Sequence, residues 1–275
     1  MGFGADMAAF FDTHAHLDFP EFEEDLPAAL ERARIAGIER IISIGTDLAA
    51  SRRAVALAEQ FPEIYAVVGW HPGHAEEAPD DFRDALRELA IHPKVVALGE
   101  CGLDFFRLPS RMGTGTAADD DRIRRRQAQV FAQQLEVAAE LGLNVVIHTR
   151  DSFAETIQQF APFSDRIRGV FHCFVGTTAE MQHVRALGSL VSFTGIATFK
   201  NGANVRETLA ATPLDSFMLE TDCPFLAPLP YRGKRCEPAF VKELSEVVAG
   251  VKGCSLETLS AATCATARQF FRKLG

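Results

Sequence analysis

The sequence lacks any apolar run of the roughly 20 residues that a membrane-spanning helix needs. Its first residues, Met1–Phe10, contain neither the basic region nor the apolar segment of a secretory signal. Asp6 stands where an N-myristoylation motif has Ser or Thr. These absences predict a cytoplasmic protein that makes no use of a membrane.

A CxxC pair is also missing, although the chain has six cysteines among its 275 residues. A disulfide framework is typical of much shorter, secreted chains, and paired cysteines would be expected in a thiolate metal site. The sequence therefore predicts six reduced, partly buried thiols.

Positive charge is scarce, with 28 Lys and Arg against 37 Asp and Glu, a formal net charge of −9. Nucleic-acid-binding proteins usually have a basic surface, so the overall balance argues against that class. However, bound divalent cations can contact phosphates on an acidic protein. Arg232, Lys234 and Arg235 also lie close together and could form a local basic patch.

What the chain does have is eight short β-rich runs, most of them continuously apolar, as in parallel strands buried on both faces. They are Phe10–His14, Arg40–Gly45, Tyr65–Gly69, Val95–Gly99, Asn144–His148, Gly169–His172, Leu190–Thr194 and Phe217–Glu220. Helical periodicity separates or follows them, at Leu26–Ala36, Ala49–Gln60, Phe82–Ala90, Ile123–Leu141, Thr178–Leu187, Asn204–Ala211, Pro238–Ala249 and Leu256–Phe271.

Eight strands alternating with helices predict an α/β protein, specifically a single-domain (β/α)8 TIM barrel, for which 275 residues are sufficient. A doubly wound open sheet is the alternative that the element count leaves open. One irregular stretch, Leu108–Asp121, is predicted to be an enlarged surface loop. The acidic run Asp119–Asp121 at its end suits the positive N-terminus of the following helix.

Metal-type ligands follow several of the predicted strands. His14 and His16 lie two residues apart, so both side chains point to the same side of the first strand. The corresponding residues on four other strands are Glu100, His148, His172 and Asp222. Because barrel active sites form at the C-terminal ends of the strands, this pattern predicts one metal centre at the barrel mouth.

Further polar residues follow strands on the same side. His71 comes after the third strand, Lys200 after the seventh, and Arg232, Lys234 and Arg235 after the eighth. Basic groups beside a metal centre suit an anionic substrate such as a phosphate. We interpret these five residues as candidate substrate contacts, with solvated surface charge as the alternative.

The motifs resemble those of the TatD-type deoxyribonucleases of the metal-dependent amidohydrolase superfamily. The matching stretches are Asp12–Asp18, Gly69–Pro72, Gly99–Phe105, Val146–Asp151, His172–Gly176, Thr194–Lys200, Leu219–Pro228 and Arg232–Arg235. The resemblance spans about residues 9–273. We therefore treat 1–8 as an N-terminal extension and 9–275 as the barrel domain.

The resemblance implies a TIM barrel with a two-metal site that hydrolyses DNA phosphodiester bonds, often from the 3′ end of single strands. It implies His14, His16, Glu100, His148, His172 and Asp222 as ligands. We expect two divalent ions, Mg²⁺ first, with Zn²⁺ or Mn²⁺ as alternatives. Glu100 and Asp222 are the predicted catalytic residues, and Asp222 is the candidate general base. A monomer is expected.

Two rival functions follow from the same residues. An amidase, lactonase, esterase or aminoacyl-tRNA deacylase could use the same metal-activated water on a carbonyl carbon. The basic residues after the eighth strand favour phosphate over these substrates. A non-catalytic scaffold would require a missing ligand, and the motifs contain all six.

Overall fold

The computed structural model describes residues 8–274, which form eight parallel strands alternating with helices. The strands are β1 (Phe10–Ala15), β2 (Ile38–Ile44), β3 (Ile64–Val68), β4 (Val95–Asp104), β5 (Val145–Arg150), β6 (Gly169–Phe171), β7 (Leu190–Phe193) and β8 (Phe217–Leu219). The α-helices are α1 (Leu26–Ile35), α2 (Leu48–Gln60), α3 (Arg83–Ala90), α4 (Pro109–Met112), α5 (Ala117–Leu141), α6 (Phe153–Phe160), α7 (Thr178–Ala186), α8 (Ala203–Ala211), α9 (Val241–Lys252) and α10 (Leu256–Phe270). Short 3-10 helices lie at Pro20–Phe22, Pro72–Glu77, Ala161–Phe163, Gly195–Thr198, Leu214–Ser216 and Pro238–Phe240.

The strands follow one another around the sheet in the order β1 to β8, each pairing in parallel with the next. A parallel bridge joins Ala15, at the end of β1, to Cys223, in the segment just beyond β8. The N–H of His16 also donates to the Cys223 carbonyl at 2.8 Å, and the N–H of Asp222 donates to the His14 carbonyl at 2.9 Å. Since a doubly wound sheet reverses its strand order midway, the sequential order confirms the predicted TIM barrel.

The barrel interior is a packed apolar core that includes Val146, Val170 and Met218. Phe270 and Phe271, at the end of α10, pack against the same core. They lie at the N-terminal end of the barrel, where the Phe270 carbonyl accepts a hydrogen bond from Asn144, just before β5. Side chains alternate along a strand, so every second residue points into the barrel. Following these inward-pointing residues along each strand leads from this end of the barrel to its C-terminal mouth.

Strand β4 is longer than predicted, running to Asp104 rather than ending at Gly99. Gly99 has a φ of +134°, and its pairing register with β5 shifts between Leu98 and Cys101. A Cβ atom at Gly99 would lie 2.6 Å from the carbonyl oxygen of Val146, so a larger residue does not fit. The shift is a bulge that turns the following side chain into the barrel mouth.

The predicted loop Leu108–Asp121 is largely helical, which corrects that prediction. It contains α4 and the first turn of α5, which begins at Ala117 instead of Ile123. Thr116 caps α5: its hydroxyl accepts from the Asp119 N–H, and the Asp119 carboxylate accepts from the Thr116 N–H. The expectation that the acidic run lies at a helix N-terminus is confirmed.

Residues 1–7 of the predicted N-terminal extension lie outside the described residues. Within 8–274, no helix combines the length and the apolar character needed to cross a bilayer. All six cysteines are free, in agreement with the predicted reduced thiols.

Candidate metal centre

The structure brings all six predicted ligands together at the C-terminal mouth of the barrel. They are His14, His16, Glu100, His148, His172 and Asp222. Their side chains are between 0% and 15% exposed, so the donor atoms lie in a largely dry environment. They come from β1, β4 and β5 and from the chain just beyond β1, β6 and β8.

One group of donor atoms surrounds the end of β1. The Nε2 atoms of His14 and His16 are 3.3 Å apart. Oδ1 of Asp222 lies 3.6 Å from the first and 3.4 Å from the second. Oε2 of Glu100 lies 3.3 Å from the His14 nitrogen and 3.8 Å from the His16 nitrogen.

A second group uses the other oxygen of the same glutamate. Oε1 of Glu100 lies 2.8 Å from Nδ1 of His148 and 2.6 Å from Nε2 of His172. The two histidine nitrogens are 3.2 Å apart. The Glu100 carboxylate therefore lies between the two groups, with one oxygen facing each.

Hydrogen bonds on the far side of two histidine rings orient the other ring nitrogen of each toward the centre. Nδ1 of His16 lies 3.2 Å from the carbonyl oxygen of Ile44, which can only accept, so this nitrogen carries the proton. Nε2 of His148 lies 3.3 Å from Oδ2 of Asp104 and donates to that carboxylate. In the neutral rings, Nε2 of His16 and Nδ1 of His148 then present lone pairs toward the centre.

This donor set fits divalent metal ions. Two ligands of one ion, each about 2.1 Å from it, lie roughly 3.0–3.4 Å apart. The separations in the first group, 3.3 to 3.8 Å, and in the second, 2.6 to 3.2 Å, are close to that range. Imidazole nitrogens and carboxylate oxygens suit Zn²⁺, Mn²⁺ and Mg²⁺ to different degrees and exclude none of the three.

Both central carboxylates are held in their ionised forms. Burial opposes ionisation of Glu100, but the neighbouring imidazoles of His172, His71 and His14 hold its pKa well below the usual value. Burial likewise opposes ionisation of Asp222. The hydrogen bond from His16 and the nearby His14 and His172 nevertheless lower its pKa. An ionised carboxylate can bind a cation or accept a proton.

The position of Asp222 depends on a buried link between β8 and β1. Oδ1 of Asp12 accepts the Thr221 N–H at 2.9 Å, and Oδ2 accepts the Thr221 hydroxyl at 2.6 Å. Asp222 itself has a φ of +58°, in the left-handed region, and its N–H is bonded to His14. Burial raises the pKa of Asp12 to about 7. No role was predicted for Asp12 from the sequence.

Two further carboxylates beside the centre also had no role predicted from the sequence. Asp104 accepts the hydrogen bond from His148. Oε1 of Glu220 accepts the Cys173 N–H at 2.7 Å and lies 3.7 Å from Nδ1 of His172. Asp104 is four residues after Glu100, and Glu220 is two before Asp222. Strand alternation within β4 places Asp104 on the same side as Glu100, a signal that could have identified it, whereas Glu220 lies beyond the end of β8.

His71 lies beside the second group, with Nε2 3.5 Å from Oε1 of Glu100. Its position would allow it to join Glu100 and His148 around an ion. However, Nδ1 of His71 accepts the Gly73 N–H at 2.9 Å, so Nε2 carries the proton of the neutral ring. Burial lowers the pKa of His71 to about 3, which keeps the ring neutral. In this tautomer, His71 has an N–H at Nε2 and no lone pair there for a metal ion.

The predicted basic contacts fall into two groups. Lys200, Arg232 and Lys234 are exposed in the loops after β7 and β8, and the Arg232 guanidinium stacks 3.7 Å from the ring of Phe199. Arg235 is instead only partly exposed and reaches the loop before α1. It pairs with Asp25 at 2.5 Å and contacts Glu237 at 3.4 Å.

A (β/α)8 barrel whose mouth gathers four histidines and two carboxylates has the architecture of the metal-dependent hydrolases. Residues 11–272 match the family model described as TatD-related DNase. The chain belongs to this family, which confirms the resemblance found in its motifs.

Similar proteins cover nearly the whole chain. It is 35% identical over 263 residues to the uncharacterized metal-dependent hydrolase YabD of Bacillus subtilis, spanning 95% of this chain and 98% of the relative. It is 35% identical over 269 residues to the 3′-5′ ssDNA/RNA exonuclease TatD of Erwinia billingiae, spanning 95% and 98%. The crystal structure of YjjV, a TatD homologue from Escherichia coli, superposes with a TM-score of 0.86 at 30% identity, covering 96% of this chain and 98% of that one.

Proposed function

We propose that this protein is a metal-dependent exonuclease that removes nucleotides from the 3′ ends of single-stranded DNA. The observation that carries the proposal is the placement of Glu100, whose two oxygens face two separate groups of histidine nitrogens. This arrangement is suited to two ions held side by side, which is the common device for cleaving phosphodiester bonds. The relative from Erwinia billingiae, an ssDNA/RNA exonuclease, supports the substrate class and adds RNA to it.

His14, His16 and Asp222 would hold one ion and His148 and His172 the other, with Glu100 shared between them. When bound, the metals would supply positive charge for the phosphate oxygens and make a water molecule easier to deprotonate. We propose Mg²⁺ as the native ion, with Mn²⁺ and Zn²⁺ as substitutes.

The residues around the ions have distinct tasks. Asp222, which is ionised and has a side chain 15% exposed beside His14 and His16, accepts a proton from the attacking water. His71 donates a hydrogen bond from its Nε2–H to a phosphate oxygen, because its Nδ1 accepts the N–H of Gly73 and so leaves the proton on Nε2. Both act within the mouth, where little solvent competes for these hydrogen bonds.

Beyond the metal centre, the nucleic-acid strand would be bound by exposed Lys and Arg side chains. Lys200, Arg232 and Lys234 would neutralise phosphates of the strand as it leaves the mouth. We assign Arg235 a supporting part in substrate binding, in which its pairing with Asp25 fixes the loop that carries Arg232 and Lys234. We further propose that the active form is a monomer, since all six ligands belong to one chain.

The test is an activity screen of the metal-loaded protein against chemically distinct substrates. Oligonucleotides of DNA and RNA, labelled at either the 5′ or the 3′ end, are compared with aryl esters, lactones and N-acyl amino acids. We expect single strands to be shortened from the 3′ end, with mononucleotides released. Hydrolysis of the carbonyl substrates with intact oligonucleotides would instead show that the centre serves the carbonyl chemistry of the alternative.

A further inference from the structure

Exposed apolar side chains are concentrated at the barrel mouth. The large hydrophobic residues that are exposed in the described part of the chain are Ile35, Ile91, Phe106, Met112, Val175, Phe225 and Leu229. All but the two isoleucines follow the C-terminal end of a strand. The aromatic members of this set are Phe106, which is 39% exposed, and Phe225, which is 49% exposed.

Phe225 lies next to the first group of donor atoms. Its N–H donates to the Asp222 carbonyl at 3.0 Å, so its backbone is fixed relative to a predicted ligand. Its ring makes an edge contact with Phe19, centroid to centroid 6.0 Å, and Phe19 stacks on His16 at 4.8 Å. A continuous aromatic surface therefore leads from His16 out to the exposed ring.

Phe106 lies next to the second group. Its N–H donates to Oδ1 of Asp104 at 2.9 Å, while Oδ2 of the same carboxylate contacts His148. The guanidinium of Arg150 lies 3.7 Å from the Phe106 ring, and that of Arg111 lies 5.2 Å away. The exposed ring is thus held in place from the backbone, with the Arg150 guanidinium beside it, while Arg111 is paired with Asp151.

We propose that the rings of Phe106 and Phe225 are stacking sites for the bases of a single-stranded nucleic acid on the two sides of the cleaved phosphate. The inference rests on the proposed function and specifies how the substrate is held. Stacking on aromatic side chains combined with a positively charged path is how proteins bind single strands without reading their sequence.

Two features of the surroundings favour a nucleic-acid strand as the occupant. Both residues are tied through their backbone to the metal centre, where the phosphate would lie. The N–H of Phe225 donates to the carbonyl of Asp222, and the N–H of Phe106 donates to Asp104, which in turn contacts His148. Cations accompany the path, with Arg150 at Phe106 and Arg232 and Lys234 in the loop that follows Phe225. An uncharged apolar partner would make no use of these cations.

The experiment measures how strongly binding and cleavage depend on the bases themselves. A mixed-sequence DNA oligonucleotide is compared with the same strand carrying abasic sites at its last three positions. KM for cleavage and equilibrium affinity by fluorescence anisotropy are determined for both. In the parent protein, loss of the bases should weaken affinity by at least about tenfold, because both base–aromatic stacks are lost and one alone is of that scale.

The variants Phe106→Ala and Phe225→Ala should each reduce this base dependence, while metal content stays at the parent level. Phe225→Leu keeps apolar bulk without a π face and should behave as Phe225→Ala does, whereas Phe225→Trp should restore base dependence. Ile91→Ala, at an exposed apolar residue on the opposite rim, is the matched control and should retain the parent ratio.

Equal affinity of the parent for intact and abasic strands would overturn the stacking sites, as would an unchanged ratio in both alanine variants. These results are distinguishable from failure of the proposed function. If no oligonucleotide is cleaved but binding remains base-dependent and is lost in the Phe variants, the stacking sites hold and the exonuclease assignment fails.

Discussion

Oε1 of Glu100 lies 2.6 Å from Nε2 of His172, while Oε2 of the same carboxylate lies 3.3 Å from Nε2 of His14. One side chain thus joins donor groups that come from opposite parts of the barrel. Its position depends on the bulge after Gly99, which turns the Glu100 side chain into the mouth. A change at this side chain should therefore affect both donor groups at once.

Removing either central carboxylate should abolish hydrolysis without unfolding the protein. We expect Glu100→Gln and Asp222→Asn each to lower kcat by at least about 100-fold, since the first loses the shared ligand and the second the proton acceptor. Rates are measured at saturating metal, and far-UV circular dichroism checks the fold. Glu77→Gln, at an exposed carboxylate, serves as the control. A near-parental rate in either variant would remove that residue from the mechanism.

The carboxylates behind the histidines should act through metal affinity. Asp104→Asn and Glu220→Gln should each weaken Mn²⁺ binding about 10–100-fold. The Asp104 carboxylate orients the His148 ring, and the Glu220 carboxylate holds the backbone at Cys173, next to His172. Isothermal titration calorimetry measures the affinity directly. Asp104→Glu, which keeps the charge, should recover part of the loss. Asp151→Asn is the control at an exposed carboxylate of the same rim. Unchanged affinity in both variants would show that these carboxylates do not position the ligands.

Exposed and paired cations should give different phenotypes. Lys234→Ala should reduce the salt dependence of single-strand binding by about 0.7 in slope, because one phosphate is no longer neutralised. Arg235→Ala should leave that slope unchanged, because Arg235 pairs with Asp25 and Glu237 and not with a phosphate. Loss of these ion pairs should instead lower the free energy of unfolding by about 1 kcal/mol. Binding is measured by anisotropy over a salt series, and stability by urea unfolding. The reverse pattern would make Arg235 a direct phosphate contact.

Acid should weaken the ion pair between Arg235, in the loop after β8, and Asp25, in the loop after β1. The hydrogen bond from Arg235 to Asp25, helped by Arg32, lowers the pKa of that carboxyl in the folded protein. The stabilisation is therefore complete above the unfolded pKa, about 4, and is lost as pH falls toward the folded value. Stability is measured by urea unfolding from about pH 2.5 to about pH 7, the range in which a carboxyl group titrates. The free energy of unfolding should fall less steeply toward acid pH in Asp25→Asn than in the parent. Identical pH profiles for variant and parent would contradict this.

The sequence was most informative where strand periodicity and position coincide. His14 and His16 share a strand face, and His148 and His172 follow apolar runs, so their convergence could be predicted from spacing. The bulge at Gly99 could not, because it depends on the close approach of Val146 from the neighbouring strand. Helix α6 (Phe153–Phe160) was not predicted, although Phe153, Ile157 and Phe160 repeat at helical spacing.

The pairing of Arg235 lay beyond prediction for a different reason. Its partner Asp25 is 210 residues away in sequence, and no local pattern relates the two. The adjacent basic residues suggested one patch, but only the structure separates the exposed cations, Arg232 and Lys234, from the paired one. Contacts between distant loops of this kind are set by barrel closure.

The most direct test of the central claim is a metal titration of the metal-free protein. EDTA should remove activity, and calorimetric titration with Mn²⁺ followed by elemental analysis should then give two ions per chain as activity returns. Glu100→Gln should bind fewer ions or bind them more weakly, since its neutral amide cannot serve as a charged ligand for both. A stoichiometry of one ion at full activity, or full activity in demonstrably metal-free protein, would contradict the account.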